Sequence, residues 1–291
     1  MLGTVFALCA IVVGTWNGNW FPSGRAEHRA HPEVEEATSR AAAAMLAEGL
    51  REIDPEGTND VILCLNEIRG PKAASNLVAR IGRTNLTVAA ISGYRRRDRF
   101  DQQQDVIATT LPVAVADWSR WRNEKKLTPP RGFARARIVL SPAVTAEVYA
   151  VHLKSNYGAT TDEAKAADRE KRERAVTQLL ELVRPRRGHP KREPVIVAGD
   201  FNADPWRKEF ASERTFALME EAGFETVLAM LPPEARGTCP SKKWGSSCLD
   251  HVFLRALKPV RSPIIVPNDA LSDHFAVFAL TVLPSSADPK R

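Results

Sequence analysis

Short apolar runs alternate with longer amphipathic stretches along the chain. Residues 11–15, 61–65, 87–91, 106–111, 137–140, 147–153, 195–198, 249–254 and 275–283 are rich in β-branched and other apolar side chains and predict strands. Between them, residues 32–50 set Val34, Ala37, Ala41, Ala44, Met45 and Leu46 at helical spacing behind Glu33, Glu35 and Glu36, where carboxylates favour a helix start. Residues 73–81 and 215–222 predict shorter helices. Residues 161–183 predict a long one, with Ala175, Val176, Leu179, Leu180 and Val183 on one face. The polar, aromatic stretch 118–126 reads as a surface excursion, and 285–291 as a frayed tail. Strands joined sometimes by helices and sometimes by loops predict a layered α/β domain with mixed sheets over 11–283.

Composition adds little to this frame. At 291 residues with 44% hydrophobic and 26% charged side chains, the chain has material for a sizeable core. The formal charge of +6 suits a polyanionic partner, nucleic acid before an anionic membrane surface, and is equally the mild basicity of a protein with neither. No run reaches the ~18–20 apolar residues of a membrane span, so no stable insertion is expected. Residues 1–10 admit two readings: a signal-peptide remnant lacking its basic flank, or the lead-in to the first strand. Cys239 and Cys248 flank a polar loop that a local disulfide could close, which would place the protein outside the cytoplasm. Cys64 lies within an apolar run and reads as core.

One pattern recurs at the ends of the apolar runs. Val195–Ala198 is followed by Gly199-Asp200-Phe201-Asn202-Ala203-Asp204, which sets a carboxylate and a carboxamide at a strand tip. Asn17, Glu67, His152, Asp250 and the pair Asp273-His274 stand at equivalent places on other runs. Singly, each is a turn former or a structural histidine. Together they are what metal-assisted phosphodiester cleavage needs: hard oxygen ligands, a neutral donor for phosphate, and imidazoles that exchange protons near neutrality.

In order and spacing these motifs resemble the endonuclease/exonuclease/phosphatase superfamily, and within it deoxyribonuclease I more than the abasic-site endonucleases, which carry tyrosine where His152 falls. The resemblance implies a four-layer sandwich: two packed mixed β-sheets flanked by helices, with a divalent-cation site at one edge. It implies Mg²⁺, with Mn²⁺ or Ca²⁺ as alternatives, held by Glu67 with Asn17 and Asp273. Asp200 and Asn202 would face the scissile phosphate, His274 oriented by Asp250 would act on the attacking water, and His152 would serve the leaving oxygen. Which histidine is base and which is acid stays open, as does the carboxylate partner of His152, for which Asp98, Asp101 and Asp105 are candidates. Arg69 and Lys154 are candidate substrate contacts. Trp118, Trp121 and Trp244 could stack on bases or anchor loops. The function implied is nucleic-acid hydrolysis, by a DNA endonuclease first, acting as a monomer. The alternative is a phospholipid phosphodiesterase or inositol phosphate phosphatase on the same scaffold.

Overall fold

A computed structural model describes residues 10–23, 31–96, 99–100, 103–124, 127–184, 193–242, 245–268 and 270–284. The first half of the chain forms β1 (Ile11–Phe21), α1 (Pro32–Ile53), β2 (Asp60–Ile68), α2 (Pro71–Arg80), β3 (Thr87–Ile91), β4 (Arg95–Arg96), β5 (Arg99–Phe100), β6 (Gln104–Thr109) and β7 (Val113–Arg120). The second half forms β8 (Gly132–Ser141), β9 (Val144–His152), α3 (Asp162–Leu182), β10 (Val195–Asp200), α4 (Thr215–Glu221) and β11 (Glu225–Thr226). It ends with β12 (Asp250–Arg255), β13 (Lys258–Pro259), β14 (Ile264–Val266) and β15 (Ala276–Val282).

These elements make the expected four layers. One seven-stranded sheet runs β13-β15-β1-β2-β6-β3 with β14 beside β15, and one six-stranded sheet runs β11-β12-β10-β9-β8-β7. Each is mixed, through the parallel pairs β1/β2 and β9/β10. Period-two alternation explains why the central runs look continuously apolar: both faces of each strand are covered. Ile11, Val13, Ile62, Cys64, Ile196, Ala198 and Val252 point into the layer between the sheets. Val12, Trp16, Leu63 and Leu65 point the other way, under α1 and α2. Val195, Val197 and Phe253 pack outward with Ala175, Val176 and Leu179 of α3.

Local signals set the helix starts. Thr161 caps α3, its Oγ1 accepting from the Ala164 N–H at 3.2 Å, and Pro32 opens α1 ahead of Glu33 and Glu35. Three expectations need correction. The buried face of α1 is Ala42, Ala43, Leu46, Gly49, Leu50 and Ile53, while Val34, Ala41 and Ala44 are exposed; alanines on every face blur the periodicity. Within 118–126, residues 118–120 belong to edge strand β7, whose Trp118 ring meets Tyr94 edge-on at 5.7 Å. Trp121 is buried against Phe133. The cysteines are not bridged either: Cys239 and Cys248 are free thiols. Cys248 lies buried beside the His251 ring, with Sγ 3.7 Å from Nε2. The leader reading, the tail and Trp244 fall outside the described residues. No described helix is long and apolar enough to cross a membrane.

Candidate active site

Strand register brings the polar strand ends into one row. Asp200, last residue of β10, pairs with His152 on β9 and with Asp250 on β12. On the facing sheet Asn17 pairs with Asn66, and Glu67 follows it on β2. Each of these side chains is buried at the edge where the two sheets meet.

Asp200 is the centre. Its Oδ2 accepts from Asn17 Nδ2 at 2.9 Å, and lies 3.4 Å from His152 Nε2 and 3.9 Å from His274 Nε2. Its Oδ1 accepts the Asn202 backbone N–H at 2.8 Å. Asn202 takes a left-handed φ of 52°, and its Nδ2 donates to the Leu153 carbonyl at 3.2 Å. Glu67, also left-handed at φ 56°, accepts the Trp20 N–H through Oε2 at 3.1 Å and aims Oε1 at His152 Nε2, 3.7 Å away. Two non-glycine residues held in that region signal strain concentrated at a site.

The two imidazoles differ in their support. His274 Nδ1 and Asp250 Oδ2 lie 2.8 Å apart, and Thr238 Oγ1 donates to the same oxygen at 2.8 Å. Behind the ring, Ser272 Oγ accepts the His274 N–H, and Asn268 and Trp16 donate to its carbonyl. His152 Nδ1 is buried with no partner among the described residues. Arg131 lies behind it, donating to the His152 carbonyl at 3.2 Å and the Leu153 carbonyl at 2.9 Å.

Electrostatics follow from these neighbours. Burial and the Arg131 and His274 charges hold His152 well below the ordinary imidazole range. Burial works against a charge on His274 too, but the Asp250 and Asp200 carboxylates outweigh it and hold the ring well above that range. Burial pushes Asp200 up to about 7, with the Asp250 charge adding to it. Among the described residues, Asp200, Asp250 and His274 each offer a ligand atom within 4.8 Å of the others. Asp250 Oδ1 is buried without a partner among the described residues. With Glu67 Oε1 aimed at the same edge, the carboxylate oxygens gathered here are the donor type a hard divalent cation takes.

Not every candidate joins this cluster. Asp273 is exposed at the rim beside buried His274. Arg69 is bonded through both Nη atoms to Glu35, the Nη2–Oε2 contact being 2.8 Å. Lys154 Nζ donates to Asp168 at 2.8 Å. Asn17 does join it through Nδ2, while its Oδ1 accepts the Asn19 N–H at 3.0 Å. Asp105 is not the partner of His152; it bonds Asn66 and Tyr94, while Asp98 and Asp101 lie outside the described residues. His251 is structural: its ring sits among Phe201, Phe216 and Phe253, and burial lowers it to about 4. Sequence reasoning missed Asn66, Arg131, Thr238 and Ser272 as supports. Asn66 alone had a visible signal, a polar residue beside Glu67 at the tip of an apolar run.

Solved structures share this architecture. An endonuclease/exonuclease/phosphatase from Beutenbergia cavernae is similar at 16% identity and TM-score 0.60, over 94% of this chain and 72% of that one. SmcL matches at 13% identity and TM-score 0.59, over 94% and 99%. TDP2 of D. rerio, complexed with a single-strand DNA product, matches at 16% and 0.58, over 94% and 98%. No curated protein matches the chain. A family model spans residues 14–274, from the first strand to His274, and the chain therefore belongs to the Endonuclease/Exonuclease/phosphatase family of hydrolytic phosphoesterases.

Proposed function

We propose that this phosphoesterase is a divalent-metal-dependent phosphodiesterase acting on nucleic acid, with DNA the first expectation. One observation carries the chemistry: two imidazole Nε2 atoms, one from the end of β9 and one from the loop before β15, face a single Asp200 oxygen at 3.4 and 3.9 Å. In-line displacement at phosphorus needs a proton taken from the attacking water and another given to the leaving oxygen. Asp200 stands between the imidazoles and can take the first, and an adjacent ring can supply the second. Asn202 holds a non-bridging oxygen, and Asp250 keeps the His274 ring aimed at the phosphate.

Glu67 is the principal metal ligand in this reading. Asn17, whose Oδ1 keeps a lone pair after accepting from Asn19, stands beside it, and Asp273 is a third candidate from the exposed rim. The cation, Mg²⁺ first, supplies Lewis-acid stabilisation of charge on the phosphoryl oxygens. The preference for nucleic acid is supported by the formal charge of +6 and by the likeness to a DNA-bound structure.

A substrate panel tests the proposal: supercoiled plasmid, single-stranded DNA, RNA, sphingomyelin vesicles and inositol phosphates, each with Mg²⁺ and with EDTA. Chelator-sensitive cleavage of the nucleic acids is expected. Intact DNA and RNA beside hydrolysed sphingomyelin or inositol phosphate would move the chain to the alternative substrate class.

A further inference from the structure

Behind the site lies a second buried polar system that takes no part in the chemistry just described. Asn66 of β2 is fully buried, and its side chain crosses to the other sheet. Its Oδ1 accepts the Asp200 N–H at 3.0 Å, while its Nδ2 donates to Asp105 Oδ1 on β6 at 2.7 Å. Asp105 is held from behind: Oδ2 accepts the Tyr94 hydroxyl at 2.8 Å, and its own N–H donates to Ser92 Oγ at 2.9 Å. The carboxamide suits the place because its oxygen accepts from a backbone N–H while its NH₂ donates to a carboxylate.

The Gly-Asp-x-Asn turn is shaped around this contact. Gly199 has φ 144°, and a Cβ there would meet Asn66 Oδ1 at 2.8 Å and collide with the Val151 carbonyl. Glycine precedes Asp200 because Asn66 and β9 approach so closely. Asn66 also directly precedes Glu67. One side chain therefore ties the backbone of the metal-binding carboxylate to the backbone of the carboxylate facing it across the sheets.

We propose that Asn66, held by Asp105 and Tyr94, is a positioning residue that sets the separation between Glu67 on one sheet and Asp200 on the other. The inference rests on the phosphodiesterase reading, because it assigns Glu67 to the cation and Asp200 to the attacking water. Groups that orient ligands without touching the metal typically change metal affinity or activity by about 10–100-fold.

The test uses the full chain with Asn66→Asp, Asp105→Asn and the double variant. Asn66→Asp sets two carboxylates against each other, and Asp105→Asn sets two amide donors against each other. The double variant restores the pattern with its polarity moved: Asp at 66 accepts from both the Asp200 N–H and the new amide at 105, which still accepts from Tyr94. Mn²⁺ affinity by water-proton relaxation, kcat and KM on plasmid DNA, and the melting temperature are read together. Each single variant should weaken Mn²⁺ binding and lower kcat by about 10–100-fold with KM nearly unchanged, and the double variant should recover most of both. Unchanged Mn²⁺ affinity and kcat in a folded single variant would overturn the inference, as would a double variant no better than the singles. A loss of melting temperature with unchanged Mn²⁺ affinity would mark Asn66 as structural only. If either single variant does not fold, the other and the double still decide the outcome. Wild-type protein that neither binds Mn²⁺ nor cuts DNA would instead remove the phosphodiesterase reading on which the inference stands.

Discussion

His152 at the end of β9 and His274 just before β15 present the same atom to the same carboxylate, yet the protein treats them in opposite ways. His274 has Asp250 on its Nδ1, Thr238 behind Asp250, and Ser272, Asn268 and Trp16 fixing its backbone. His152 has an Nδ1 without a partner among the described residues and the Arg131 guanidinium bonded to its carbonyl. One ring is built to carry charge and the other to stay neutral. Function here comes less from which residues reach the site than from what stands behind them.

Removing the shared chemistry gives the largest expected effect. His274→Ala or Glu67→Gln should lower Mg²⁺-dependent kcat by about 10³-fold, within the range for losing a proton-transfer group or a metal ligand, with the melting curve still cooperative. Near wild-type turnover in either variant would dismantle the site. Asp250→Asn attacks only the difference between the rings and should cost about 10²-fold. It should also bring the His274 pKa down towards the ordinary value, as read from imidazole chemical shifts.

The pH dependence of the metal-free protein sharpens the same contrast. The folded pKa of His274 is raised, so its contribution to stability is fully present below the unfolded value of ~6.5 and is lost as pH rises through the folded value. His152 is depressed, so its contribution is present above ~6.5 and is lost as pH falls towards the folded value. Denaturant melts across pH should show His274→Asn flattening the alkaline limb and His152→Asn flattening the acid limb. Identical changes in the two variants would mean the rings are not distinguished. The smallest effects belong to the cations engaged elsewhere. Arg69→Ala and Lys154→Ala should each change kcat/KM by less than about fivefold, or ~1 kcal/mol, since Glu35 and Asp168 already hold them. A larger loss in salt-sensitive DNA cleavage would restore them as phosphate contacts.

The sequence made the strand tips legible because two facts coincide there. A strand covered on both faces is a continuous apolar run, so a carboxylate or imidazole at its end stands out, as Asp200 and Glu67 do. Support residues were hidden for the opposite reason. Thr238 and Ser272 lie in irregular loops, where polar residues are the norm, and nothing local says that a chain turn will carry them beneath Asp250 and His274. Arg131 sits in a left-handed position with φ 63° just before β8, which no periodicity reveals. Strand β7 escaped detection because every residue in it is exposed, so the alternation that betrays a half-buried strand is missing. The Cys239–Cys248 spacing suggested a bridge, but spacing carries no information on side-chain direction. In the structure Cys248 turns to His251, and both thiols stay free.

Nicking of supercoiled plasmid by wild-type protein and by His274→Ala, in Mg²⁺ with and without EDTA, tests the central claim most directly. Nicking by the wild type in Mg²⁺ alone is expected. Nicking that persists in EDTA, or that survives in His274→Ala, would contradict it.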